Sequence, residues 1–188
     1  TNGMLLVVQK LIERQASINV RDKNGVTALV LACTHEFENV ALALLGTTNN
    51  FVDVADTTYT DALFWSCGNG MLSVVKRLLD RGVDVNASDA DDQLPLVTAC
   101  WNKHNSVALT LLKHHSIDVN LTDADPASAL HHASGHGMLD VVKKLIAKGA
   151  DVNIEGYELK TPLIVACIKG QANVALTLLE HEKIDRKS

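Results

Sequence analysis

Residues 39–45 (NVALALL) return as 106–112 (SVALTLL) and 173–179 (NVALTLL), each time 67 residues on. A second string, Gly3-Met4-Leu5, returns at Gly70 and Gly137 with the same spacing. Nested inside is a shorter beat: Asp22, Asp56, Asp89 and Asp123, with Gly156 in the next slot, give steps of 34, 33, 34 and 33. A period near 33 is too short for a self-sufficient globular core. It describes small supersecondary units that bury their apolar faces against their neighbours.

One such period shows the physics of all. After Asp123 come turn residues, then Ser128 as a helix cap and Leu130 and Ala133 as apolar helix positions. Gly135-His136-Gly137 stops that helix, and Val141, Val142, Leu145 and Ile146 mark a second at helical spacing. Gly149 stands where a left-handed C-terminal residue is wanted. Each unit therefore reads turn, short helix, tight turn, longer helix, loop. Neither helix is long enough to persist alone in water. Thr27 and Thr161 hold the cap slot elsewhere, with Asp61 as a substitute, and Pro95 and Pro162 stand at the first helical position. Leu94 departs at the cap slot.

These strings resemble the ankyrin repeat. Its pattern is carried by Asp22-x-x-Gly25-x-Thr27-Ala28-Leu29, by Thr161-Pro162-Leu163 and by Ala129-Leu130-His131. Its end is carried by Gly82-Val83-Asp84-Val85-Asn86 and Gly149-Ala150-Asp151-Val152-Asn153. The resemblance covers essentially the whole chain and implies an all-α solenoid of stacked helix-turn-helix units with projecting turns. It implies a single ankyrin-repeat domain over 1–188, divided as a half repeat at 1–21 and repeats at 22–55, 56–88, 89–122, 123–155 and 156–188. The chain starts inside a repeat and is expected to be excised from a longer array. Two unit types alternate, the odd ones lacking the C-terminal Gly, and this doublet produces the 67-residue echo. The family histidine stands only at His131; Val30, Phe64, Val97 and Ile164 take its place elsewhere.

Cys33, Cys67, Cys100 and Cys167 all fall eleven residues after the marker, with Ser134 in the remaining unit. Successive units of such a stack lie on the order of 10 Å apart, beyond the roughly 7 Å limit for a disulfide. The four are expected to be buried free thiols, which fits a reducing, intracellular and specifically cytoplasmic setting. His132 and His136 are four apart, but the glycines around His136 end the helix there, and no metal site or cofactor is expected. No Gly-rich phosphate loop or catalytic Cys–His or Ser–His–Asp arrangement stands out, so the chain is not expected to be an enzyme. A net charge of −5 argues against a nucleic-acid backbone as ligand, and no apolar run is long enough for membrane insertion.

The resemblance implies a non-catalytic protein–protein interaction module that grips a protein or peptide partner on its concave face and turn tips. Carried over by register, the partner-binding residues of the last three repeats are Asp91, Asp92, Gln93, Trp101, Asn102, Asp125, His136, Tyr157, Lys160, Ile168 and Lys169. Lys23, Asn24, His35, Thr58, Thr60 and Asn69 hold the matching slots earlier in the chain. Trp101 and Ile168 are apolar where solvent is expected; Trp101 is either a binding anchor or local core folded across a neighbouring first helix. Trp65 is expected to pack. The turns are acidic around Asp91, Asp92 and Asp125, whereas the second helices carry Lys10, Lys76, Arg77, Lys143 and Lys144. Either these are solvated faces, or the acidic turns steer a basic peptide into the groove. The alternative function is a structural spacer, or the substrate-targeting arm of a larger enzyme whose catalytic domain lies outside this chain.

Overall fold

Turn chemistry at the marker positions decides where each helix begins. Asp22 accepts the backbone N–H groups of Asn24 (2.8 Å) and Val26 (2.9 Å) through one carboxylate oxygen, and Asp89 does the same for Asp91 (3.0 Å) and Gln93 (2.9 Å). These are Asx turns, so both markers build the finger rather than offer charge. In three repeats the third residue after the marker is left-handed: Gly25 has φ 80°, Asp92 56° and Leu159 58°. Glycine adopts this freely and aspartate tolerates it.

A computed structural model describes residues 2–46, 57–89, 91–123, 126–181 and 184. Among them are eleven α-helices: α1 (Asn2–Glu13), α2 (Ala28–Thr34), α3 (Glu38–Leu45), α4 (Thr57–Gly68), α5 (Leu72–Asp80), α6 (Pro95–Trp101), α7 (Asn105–Leu111), α8 (Ala129–Gly135), α9 (Leu139–Ala147), α10 (Pro162–Ile168) and α11 (Ala172–Leu179). No β-strand occurs among the described residues, and the fold is an all-α repeat solenoid. The chain divides into two compact units, Thr1–Asp84 and Val85–Ser188.

In the first unit α2 packs on α4, and α1, α3 and α5 line up as the second-helix row. Its fully buried side chains include Leu63, Val74, Val75 and Leu78. In the second unit α6, α8 and α10 form the first-helix row and α7, α9 and α11 the other. Leu111, Leu112, Leu130, Leu145 and Leu178 are its largest fully enclosed residues. An asparagine ladder ties its loops: Asn86 accepts from Asp118 N–H (2.9 Å) and donates to the Ser116 carbonyl (2.7 Å), and Asn120 accepts from Asp151 N–H (2.8 Å) and donates to the Gly149 carbonyl (3.2 Å).

The caps follow the sequence with one exception. Thr27 and Thr161 each accept the N–H three residues on, at 3.4 Å. Leu94 has no capping side chain; its N–H is held instead by the Asp123 carboxylate of the following repeat at 2.8 Å. The exception is Asp61, expected to start its helix. α4 already begins at Thr57, and Asp61 lies inside it. Here the left-handed slot is occupied by Tyr59, which is buried in the helix with Arg81 stacked over its ring and bonded to its hydroxyl. A bulky aromatic resists the left-handed region, and its buried ring stabilises the helical alternative.

The cysteine slot also departs from expectation in one repeat. Cys33, Cys67 and Cys100 are buried, but Cys167 is exposed. In the second unit α8 flanks α6, whereas no described helix pair covers the far flank of α10. Ser134, the one hydroxyl in the slot, is wholly enclosed and its oxygen has no hydrogen-bond partner among the described residues. Ser66, by contrast, donates to Cys33 Sγ at 3.3 Å. A buried unsatisfied hydroxyl costs about 1–3 kcal/mol. Ser134→Ala is therefore expected to raise stability by about 1 kcal/mol and the melting temperature by about 2–4 °C. A lower melting point would show that the hydroxyl is satisfied after all.

Candidate partner-binding face

The second unit holds the clearest candidate surface. At the finger before α6, Asp91, Asp92 and Gln93 are exposed; Gln93 N–H donates to the Asp89 carboxylate and its carbonyl accepts from Asp89 N–H. Asp125 lies outside the described residues. The finger before α10 is a 3-10 turn, Tyr157–Leu159, in which Glu158 and Leu159 both take positive φ. Tyr157 is 67% exposed and Leu159 71%. A left-handed leucine costs about 1–2 kcal/mol. Lys160 pairs with Glu158, so its charge is already engaged.

His131 shows how one finger is fixed. Its Nδ1 accepts from Ser128 N–H at 3.1 Å, so the ring proton sits on Nε2, which donates to the Lys160 carbonyl at 2.9 Å. The same imidazole completes a capping box with Ser128. Beneath it Gly156 leaves the needed space: a Cβ there would stand 2.8 Å from His131 Nε2. Thus the single retained family histidine ties α8 to the next finger and positions Tyr157 and Lys160.

At the other end of the first helices, sequence-singled residues converge. Trp101, the last residue of α6, is 60% exposed, and its ring meets the His132 ring of α8 edge-on at 4.9 Å. It is therefore braced by the neighbouring helix but not buried by it. Asn102 caps α6, donating to the Thr98 carbonyl at 3.1 Å. His136 caps α8 and hydrogen-bonds the Trp101 carbonyl. The surrounding protein first, then the Lys103 ammonium, hold its pKa below the ordinary histidine value; the Trp101 carbonyl opposes this and Lys169 adds to it. Ile168, 61% exposed, ends α10, and Lys169 caps it.

By register, Trp101, Gly135 and Ile168 form one row and Asn102, His136 and Lys169 the next. Gly135 is overlaid by Val165, which a Cβ would meet at 3.0 Å, and by the Lys169 stem at 3.8 Å. Two apolar anchors thus flank a middle position that Val165 and the Lys169 stem cover.

Sequence reasoning missed His132 and Lys103 as members of this cluster. Lys103 was legible as an oddity: with φ 62° it fills an inter-helix slot that is Gly70, Gly137 and Gly170 in three repeats and Glu36, at φ 59°, in another. The earlier repeats offer less. Thr58 is buried within α4, and Asn69 spends its amide on the carbonyls of Cys33 (2.9 Å) and Thr34 (3.4 Å). Trp65, expected to pack, is 39% exposed with its ring edge-on to Phe64. Among the described residues no group of three or more His, Cys, Asp or Glu side chains is placed to hold a metal, and no helix is long and apolar enough to cross a membrane.

The family profile described as "Ankyrin repeats (3 copies)" matches residues 1–89, 39–123 and 96–188. The chain is similar to the mouse B-cell lymphoma 3 protein homolog, 37% identical over 165 residues, which is 85% of this chain and 36% of that protein. The human B-cell lymphoma 3 protein is 35% identical over the same length, with the same shares. The chicken nuclear factor NF-kappa-B p105 subunit is 29% identical over 155 residues, 81% of this chain and 16% of that protein. The chain thus spans about a third of the length of the first two.

Proposed function

Because the chain belongs to the ankyrin-repeat family, we propose that it is a non-catalytic interaction module gripping a protein partner on its first-helix face and finger tips, the concave side of such a stack. The carrying observation is Trp101: a large aromatic, mostly exposed, whose ring packs edge-on against the His132 ring of the next repeat. An exposed but pre-ordered aromatic loses little entropy on contact and is the type of residue that dominates interface energetics. Asp91 and Asp92 at the α6 finger contribute approach of a basic stretch of that partner. The repeat register runs through both compact units, and on that ground residues 1–188 form a single repeat domain. Four free cysteines fit a reducing intracellular compartment, the cytoplasm in this reading.

Trp101→Ala is expected to abolish capture of the partner in a cross-linking pull-down, a loss of roughly 2 kcal/mol or more of binding, while moving the melting temperature little. Retained capture, or a collapse of stability, contradicts the anchor role.

A further inference from the structure

The residues that follow α6, α8 and α10 carry Lys103 and Lys169 and no carboxylate. Lys103, His136 and Lys169 stand along the rim, within the run Asn102–Asn105, at His136-Gly137 and at Lys169-Gly170-Gln171. This contrasts with a chain of net charge −5 and with the acidic finger at Asp91 and Asp92. α6 has seven residues, so about 10 Å of helix separates acidic tip from basic rim. Lys103 and Lys169 both act on His136 electrostatically, which places all three in one field. Neither lysine is engaged by a described carboxylate.

Resting on the binding face assigned above, we propose that the segment of the partner lying over the ends of α6, α8 and α10 is acidic and extended, and seats one apolar side chain on Trp101 and a second on Ile168. The spacing follows from the repeat. Packed helices lie roughly 8–10 Å apart, so two steps from α6 to α10 cover about 16–20 Å. An extended chain advances about 3.3 Å per residue, so five or six residues bridge the anchors. The middle of that path crosses Gly135, where Val165 and the Lys169 stem lie close over the backbone, and carboxylates of the bridging residues face Lys103 and Lys169. A basic segment would meet like charge here and belongs at the finger end instead. Polyanionic nucleic acid is disfavoured because the acidic finger at Asp91 and Asp92 repels a continuing phosphate backbone.

The test is selection of phage-displayed twelve-residue peptides on the immobilised 188-residue chain, followed by affinity measurement on three proteins: the parent, Trp101→Ala, and the double variant Lys103→Glu with Lys169→Glu. The expected peptides carry two apolar residues five or six apart with Asp or Glu between them. They should lose roughly tenfold or more on the charge-reversed protein, the loss shrinking at high salt. Circular dichroism melting should show both variants folded. Peptides that need Trp101 but bind the charge-reversed protein equally, or that are basic, overturn the acidic-segment proposal and leave the binding face standing. Absence of any Trp101-dependent peptide overturns both. A twelve-nucleotide single strand that outcompetes the selected peptides at this face also overturns the proposal.

Discussion

Leu145→Ala is expected to cost about 2–5 kcal/mol, read as a shift of the urea midpoint. Leu145 is fully enclosed in α9, whose helix packs on α7, α8 and α11. Closely packed interiors relax only partly around the cavity that such a truncation leaves. Against a typical total of about 5–15 kcal/mol this is a large share. Repeat stacks are held by nearest-neighbour contacts, so the loss should spread to α7 and α11 as faster amide exchange before the chain as a whole unfolds. A change below about 1 kcal/mol would mean that α9 is not the seal of the second-helix row. The contrast with Trp101→Ala, which removes an exposed ring, separates framework from surface.

Native thiol labelling is expected to stop at one equivalent per chain, at Cys167. Burial pushes Cys33 up to about 11, despite the Ser66 hydroxyl that pulls the other way, and Cys100 up to about 12. The thiolate is the reactive form, so at pH 8 a group near 12 is ionised in about one molecule in ten thousand. Cys33, Cys67 and Cys100 are also sterically shut, while Cys167 is exposed. Unfolding should release the other three. The pH dependence has a fixed sign. Both folded values lie above the ordinary 9.0, so the stability contributed by keeping these thiols protonated is full below about 9 and is lost as pH rises towards 11–12. Two or more fast-reacting thiols in the folded protein would contradict the burial pattern.

Much of this was readable from the period. The repeat gave the helix pairs, and cap chemistry located the starts at Thr27, Ser128 and Thr161 because a hydroxyl accepting an N–H is a local event. The marker aspartates at positions 22 and 89 were equally local. What escaped was cooperative. Tyr59 converts a finger into an extra turn of α4 through its packing with Arg81, which no single slot announces. Cys167 shares its slot with three buried thiols yet is exposed, and among the described residues no further helix pair covers its flank. The binding cluster was half legible: Trp101, His136, Ile168 and Lys169 stood out by register. The edge contact to His132 and the nearness of Lys103 depend on how adjacent helices lean together.

The central claim, that a partner is held on the first-helix ends of the second unit, is tested most directly by placing a photo-crosslinking amino acid at single positions and irradiating in the presence of the partner. Asn102 lies beside Trp101, and Lys143 is exposed on the second-helix row. Covalent adducts are predicted from position 102 and not from position 143. Adducts from 143 alone, with none from 102, would place the partner on the opposite face and contradict the account.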